Sequence, residues 1–179
     1  MRRKKNKITC VIDPVFLVSW SKFRHGSKLV EVIERGYITD DFYDLFSGET
    51  TLSFLRSLLE SKVLVIHDLF DESYNEILFT VRRTFIDDKR LCQLNSVLAK
   101  LLAIAIVENI PLFSDNYCVH KFARLYWDAS MVWSSYKVLR YMVDLGLFDD
   151  LDEALRVFSE DTGTVFVRVR KGEEWHTRS

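Results

Sequence analysis

Two hydrophobic periods alternate along the first half of the chain. Ile8 to Ile12 is a β-branched run that ends in Asp13, the pattern of a strand. Pro14 follows at a position where a helix can start, because proline is tolerated in a helix's first turn. Phe16, Leu17 and Trp20 give that helix an apolar face until Gly26 interrupts it. Ser27 is expected to cap a second helix carrying Leu29, Val30 and Ile33 and stopping at Gly36. Tyr37 to Thr39 reads as a short strand or extended lead-in, Thr39 or Asp40 caps the next segment, and Gly48 breaks that segment. Leu52, Leu55, Leu58 and Leu59 mark a helix, and Lys62 to Ile66 a buried strand.

The second half repeats the alternation. Asp71 is expected to cap a helix bearing Tyr74, Ile77, Leu78 and Val81, and Asp87-Asp88 to open the long helix that follows. In that helix Ala99, Leu102, Ala103, Ile106 and Val107 recur at helical spacing. Glu108-Asn109 closes it, since Asn tolerates the left-handed C-cap conformation and Pro111 cannot extend it. Leu112-Phe113 is a brief strand from which Ser114, Asp115 and Asn116 emerge. A short helix through Val119, Phe122 and Ala123 leads to a strand at Ser130 to Trp133. Ser134-Ser135 caps a helix from Tyr136 to Leu145, ended by Gly146, and Asp149 or Asp150 starts the last helix, through Phe158. After Gly163, Val165 to Val169 alternates apolar and basic residues, as an edge strand does. Strands and helices joined by short connections predict an α/β fold, a three-layer α/β/α sandwich around a mainly parallel sheet. One domain spans 1–179, with a basic tail at 1–7 and a flexible carboxyl-terminal tail at 171–179.

Composition narrows the function classes. A chain of 179 residues, 48% hydrophobic, can bury one ordinary core. Its net charge of -1 gives no global reason to expect nucleic-acid binding, so any such surface must come from local clusters. Arg2, Arg3, Lys4, Lys5 and Lys7 form one cluster, and Arg168, Arg170, Lys171 and Arg178 another. Both are expected to be solvated ends. Cys10, Cys92 and Cys118 lack a C-x-x-C pair, which predicts reduced, buried thiols rather than a disulfide framework. With no signal-peptide pattern and no run of ~20 apolar residues, a cytoplasmic location is expected. A single glutamine, Gln93, and 28% charged residues hint at a heat-adapted source.

The candidate chemistry sits at strand ends. Asp13 and Asp115 each close a predicted strand, and in an open α/β sheet that edge is where ligands and metals bind. Carboxylate oxygens and water are what Mg²⁺ and Mn²⁺ take, and a pair of ions can drive in-line phosphodiester displacement. Strand-end aspartates also cap helices, so spacing alone leaves both roles open. Competing signals are thinner. His67-Asp68 spells a metal-binding dipeptide, but it follows a strand and lacks further histidine partners. Cys118 and His120 do not share a helix face for zinc. No nucleophile elbow and no glycine-rich phosphate loop is present. Tyr126-Trp127, Trp133 and Tyr136 read as core or dimer packing before they read as base-stacking platforms.

Four segments, ITCVIDPVFLVSW, ITDDFYDLF, LAKLLAIAIVENIPLFSDN and MVWSSYKVLRYMVDLGL, resemble in that order the PIN domain, over most of the chain. PIN domains are small α/β/α sandwiches, often dimeric. Many are Mg²⁺- or Mn²⁺-dependent ribonucleases, including toxins of toxin–antitoxin pairs. The resemblance therefore implies RNA as substrate, a weakly held Mg²⁺ or Mn²⁺, a homodimer, and a protein partner such as an antitoxin. Asp13 matches the family's first acid, and Asp115 and Asn116 fall in its last polar motif. Pro14 and Val15 stand where the family has a hydroxyl residue and asparagine. Leu45 stands at the second acid, with Asp44 adjacent and Glu49 just beyond, and Leu98 at the third. Asp13, Asp115 and Asp44 are thus the expected catalytic residues, with Glu49 and Asn116 as further ligands. The alternative is a catalytically inactive PIN-fold module that binds RNA or a protein.

Overall fold

The fold was obtained as a computed structural model that describes residues 6–69, 71–168 and 175–178. Strand β1 (Ile8–Ile12) is followed by helix α1 (Pro14–Lys22), a 3₁₀ turn (Gly26–Lys28), the single turn α2 (Leu29–Val32) and β2 (Ile33–Ile38). A second 3₁₀ stretch (Asp40–Leu45) leads to α3 (Glu49–Glu60) and β3 (Leu64–Ile66), then to the antiparallel helices α4 (Glu72–Asp87) and α5 (Ser96–Val107). Then come β4 (Leu112–Phe113), α6 (Tyr117–Tyr126), β5 (Val132–Trp133), α7 (Ser135–Asp144) and α8 (Leu151–Thr162). The chain's described part ends in β6 (Val165–Arg168) and β7 (Trp175–Arg178).

The five strands β3-β2-β1-β4-β5 form one sheet in that order, every pairing parallel. On one side α1 packs on α3 and α8. On the other α4 packs on α5, and Phe85 of α4 stacks on Phe122 of α6 with ring centroids 5.1 Å apart. The expected α/β/α sandwich is the architecture found. α5 is the central helix: Val97, Leu98, Ala99 and Leu101 to Ala105 are all buried, as befits a helix apolar on every side. Its end is as anticipated, with Asn109 in the left-handed region at φ 51°. Among the described residues no helix is long and apolar enough to cross a membrane.

Several boundaries depart from the sequence reading, each for a physical reason. The second helix ends at Val32, and Gly36 lies inside β2 rather than at a helix stop. A Cβ on Gly36 would stand 2.5 Å from Leu64 Cδ2 and 3.2 Å from Ile12 Cγ1, so glycine is there for close strand packing. β3 is an edge strand with Val65 36% and Ile66 44% exposed, not a buried one. α4 runs through Asp87, and α5 is capped by Asn95, whose Oδ1 accepts the Leu98 N–H at 2.7 Å. Asp88 instead grips the Arg90 guanidinium. Ala129–Met131 is a 3₁₀ turn capped by Asp128, which leaves two residues for β5. β6 does not join the main sheet: it pairs antiparallel with β7, so residues 175–178, expected in a flexible tail, form a strand. Arg2, Arg3, Lys4 and Lys5, and Arg170 and Lys171, lie outside the described residues.

The cysteines are a correction too. Cys92 and Cys118 are joined by a disulfide, Cα atoms 5.7 Å apart, and only Cys10 is a buried free thiol. Their separation of 26 residues hid the pairing; the α4–α5 hairpin brings Cys92 back to the first turn of α6.

Candidate functional site

From β1 the chain steps outward through β2 and β3, then returns to place β4 and β5 on the other side of β1. The gap between the carboxyl ends of β1 and β4 is therefore the topological switch point, where open α/β sheets form their ligand crevice. Asp13 and Asp115 are the residues found there. The Asp13 N–H donates to the Phe113 carbonyl at 2.9 Å, and the Ser114 N–H to the Trp133 carbonyl at 3.0 Å. Strand pairing thus fixes the backbone of both strand ends.

Asp13 is 1% exposed and caps α1. Its Oδ1 accepts the Val15 N–H at 2.6 Å and the Phe16 N–H at 3.4 Å, while its buried Oδ2 has no hydrogen-bond partner. Burial raises its pKa to about 6 from 3.8. The two amides and the nearby Ser114 hydroxyl oppose that rise, and the charge of Asp115 adds to it. The Ser114 hydroxyl is close enough to the Asp13 carboxyl to lower its pKa as a hydrogen-bonding group, though not in the geometry of a full hydrogen bond to Oδ2.

Asp115 keeps some solvent exposure, yet it is enclosed enough that burial raises its pKa, against the opposing bonds from Ser135. The Ser135 N–H donates to Oδ1 at 2.8 Å and the Ser135 hydroxyl to Oδ2 at 2.5 Å. That hydroxyl is in turn held by the Trp20 indole N–H at 2.9 Å. Asn116 caps α6, its Oδ1 accepting the Cys118 N–H at 2.9 Å, and its own N–H donates to Ser114 Oγ at 3.1 Å. His120, one turn along, places Nε2 2.8 Å from the Ser114 carbonyl. A carbonyl only accepts, so Nε2 carries the proton.

The remaining sequence candidates do not join this pair. Asp44 is exposed on the second 3₁₀ stretch. The Glu49 side chain is 82% exposed and 3.5 Å from Arg56. The acid that turns inward is Asp41. Its Oδ1 accepts the Thr39 hydroxyl and its Oδ2 the Lys100 ammonium, both at 2.7 Å. Burial pushes Asp41 up, but those bonds outweigh it and hold the carboxyl below its usual range. Among the described residues no group of three or more His, Cys, Asp or Glu side chains could hold a metal ion. His67 is hydrogen-bonded to the Tyr74 hydroxyl at 3.2 Å, and Tyr74 donates to Glu108, so His67 serves a local polar cluster. Trp133 stacks on Phe113 as a packing residue, whereas Tyr126 is 47% exposed and hydrogen-bonds Asp88 at the surface.

No family model matches the chain, and no curated protein matches its sequence. The site must therefore be judged on its own atoms. Two carboxylates are the donors present at the switch point: the Asp13 Oδ2 is buried without a hydrogen-bond partner, and both Asp115 oxygens accept from Ser135. They supply no bridging ligand for a second ion.

Sequence reasoning missed the contacts that Ser135 makes with Asp115 and His120 with the Ser114 carbonyl. Ser135 was legible in part: Ser134 alone caps α7, with Oγ 3.4 Å from the Lys137 N–H, which leaves the second serine of the doublet for another partner.

Proposed function

We propose that this chain is a PIN-like protein acting on RNA as a divalent-metal-dependent ribonuclease, with Asp13 and Asp115 holding one weakly bound Mg²⁺ or Mn²⁺. One observation carries the reading: the buried, unpartnered Oδ2 of Asp13 beside a second carboxylate at the switch point. An uncompensated buried carboxylate is costly; a proton relieves it below about pH 6, and a cation would do so above. When bound, the ion polarises a phosphoryl oxygen and acidifies its water. The chain's own residues do the rest. Asp13 is held rigidly by the first turn of α1, Asp115 by Ser135, and Asn116 keeps the strand end turned into α6. The charge on Asp13 develops as pH rises through about 6, so cation binding strengthens over the same range.

The test is cleavage of structured and unstructured RNA in Mn²⁺ by the purified chain. Activity that rises through pH 6 and disappears in Asp13→Asn supports the reading. Absence of cleavage at saturating Mn²⁺ overturns it.

A second reading rests on the positions where the resemblance expects further acids. Leu98 is 4% exposed in the core and Leu45 is 43% exposed on the 3₁₀ stretch, so neither offers a ligand. On this reading the fold is a binding module for RNA or a protein partner such as an antitoxin, or pairs with a second copy of itself. Retention of RNA without cleavage distinguishes it. A cytoplasmic location belongs to both readings. The Cys92–Cys118 bridge fits that compartment if the source is heat-adapted, because intracellular proteins of hyperthermophiles are disulfide-rich.

A further inference from the structure

Helix α4 turns large apolar side chains in two directions. Tyr74, Val81 and Phe85 are buried against the body of the protein. On the outer side Phe79 is 65% and Ile86 77% exposed. Glu72, Phe79 and Ile86 are spaced by sevens, and in an α-helix a step of seven drifts by only about 20°, so the three form one outward seam. Charge is sorted along that seam. Glu72 and Glu76 precede Phe79, Arg82 and Arg83 follow it, and all four are exposed. The helix dipole favours that order of signs, but it does not account for two large apolar side chains left in water.

A face that is acidic at one end, basic at the other and apolar between them is complementary to itself when reversed. With a two-fold axis at Phe79, an antiparallel second α4 brings Phe79 against its own counterpart. A rise of about 1.5 Å per residue then sets Arg83 of one copy at a height between Glu72 and Glu76 of the other, on the same side of the seam. Arg83 is held within its own helix by Asp87 at 3.3 Å, a pair of exposed groups that is weak and can be exchanged. Phe79 and Arg83 also border a groove of about 530 Å³ beside Tyr126, which leaves this flank of the seam open to a neighbour.

We propose that α4 is the self-association face of this chain, pairing antiparallel across Phe79 with the α4 of a second copy. This rests on the self-pairing named in the second reading above, to which it gives a surface, and not on the acid pair. One helix face is smaller than the roughly 800 Å² per partner of a standard interface, so the dimer is a transient one.

Sedimentation equilibrium of the full chain over about 1–300 μM is expected to show a monomer–dimer equilibrium. Phe79→Ser and Arg83→Glu should each weaken it about 10-fold or more, and adding Glu76→Arg to Arg83→Glu should recover it. Both positions are exposed, and thermal melts of the variants verify that each remains folded. Register is read by oxidation: Phe79→Cys lies on the axis and forms a covalent dimer, whereas the two copies of Ile86→Cys stand about 20 Å apart and do not. A chain that stays monomeric throughout overturns the proposal and the self-pairing together. A dimer indifferent to Phe79→Ser and Arg83→Glu keeps the self-pairing and overturns this face. A monomeric chain that holds a different protein through Phe79 assigns the seam to that partner and overturns the proposal as well.

Discussion

Asp13 and Asp115 close adjacent parallel strands, and the charge of the second adds to the burial that lifts the first to a pKa of about 6. In the unfolded chain the Asp13 carboxyl returns to about 3.8. Between those values the folded state holds a proton that the unfolded state has lost, so stability contributed by this group is full below about pH 4 and is lost as pH rises through 6. The loss amounts to about 3 kcal/mol at 1.36 kcal/mol per pH unit.

Asp13→Asn should remove that loss. Asparagine keeps the capping oxygen and is a good N-cap. The expected outcome is equal stability of variant and wild type near pH 4, and a variant more stable by about 1–3 kcal/mol at pH 7.5. Urea unfolding at the two pH values measures it. A variant less stable than the wild type at pH 7.5 contradicts the unpartnered state of Oδ2.

A cation should act on the same group with the opposite consequence. It binds the ionised pair of the folded state and not the unfolded chain, so it stabilises by mass action. Mn²⁺ at tenfold over its dissociation constant adds about 1.4 kcal/mol. Thermal melts should therefore shift upward with Mn²⁺ at pH 8, very little at pH 5, and not at all in Asp13→Asn. An equal shift in the variant would place the ion elsewhere.

The fold was readable because hydrophobic period and capping residues are local signals. Asp71, Ser134 and Asp150 cap where their residue types predict, and Asn109 turns the chain into β4 as its type allows. Part of what failed depends on contacts distant in sequence, and part on local turns such as that of Asp88 with Arg90. Gly36 looks like a helix stop until Leu64 packs against it, and Val65 looks buried until β3 proves to be the sheet edge. The site divides in the same way. Asp13 and Asp115 announce themselves as strand-end acids, but Ser135 acquires its role only through Trp20, 115 residues away. Outside the acid pair, Asp41 and Lys100 likewise find each other across 59 residues.

The Cys92–Cys118 bridge closes a loop across the α4–α5 connection and the whole of α5. For a loop of that length, lost chain entropy in the unfolded state is worth about 3–4 kcal/mol, with measured bridges spread over about 0–5. Reduction should lower the melting temperature, and Cys92→Ser should do so to the same extent and abolish the effect of reductant. Thiol titration in denaturant counts one free thiol in the oxidised chain of three cysteines, and three after reduction. Three thiols in the untreated protein would show the bridge unformed.

Gly36 offers a test of how tightly β2 is clasped between its neighbours. It pairs with Cys10 on one side and Leu64 on the other, and its φ is not positive, so alanine meets no backbone obstacle. In open space Gly→Ala in a strand would stabilise by about 0.5–1 kcal/mol. Here the new methyl would lie 2.5 Å from Leu64 Cδ2, and Leu64 is 2% exposed with nowhere to retreat. The sign therefore reverses, to a loss of about 1–3 kcal/mol. Leu64→Ala alone costs about 2–5 kcal/mol by leaving a cavity. Because the alanine methyl at 36 fills part of that cavity, the double variant should be more stable than the sum of the singles predicts, by about 1 kcal/mol or more. Urea denaturation of the four proteins completes the cycle. Strict additivity would mean the two residues do not touch, and the register Gly36↔Leu64 would have to be redrawn.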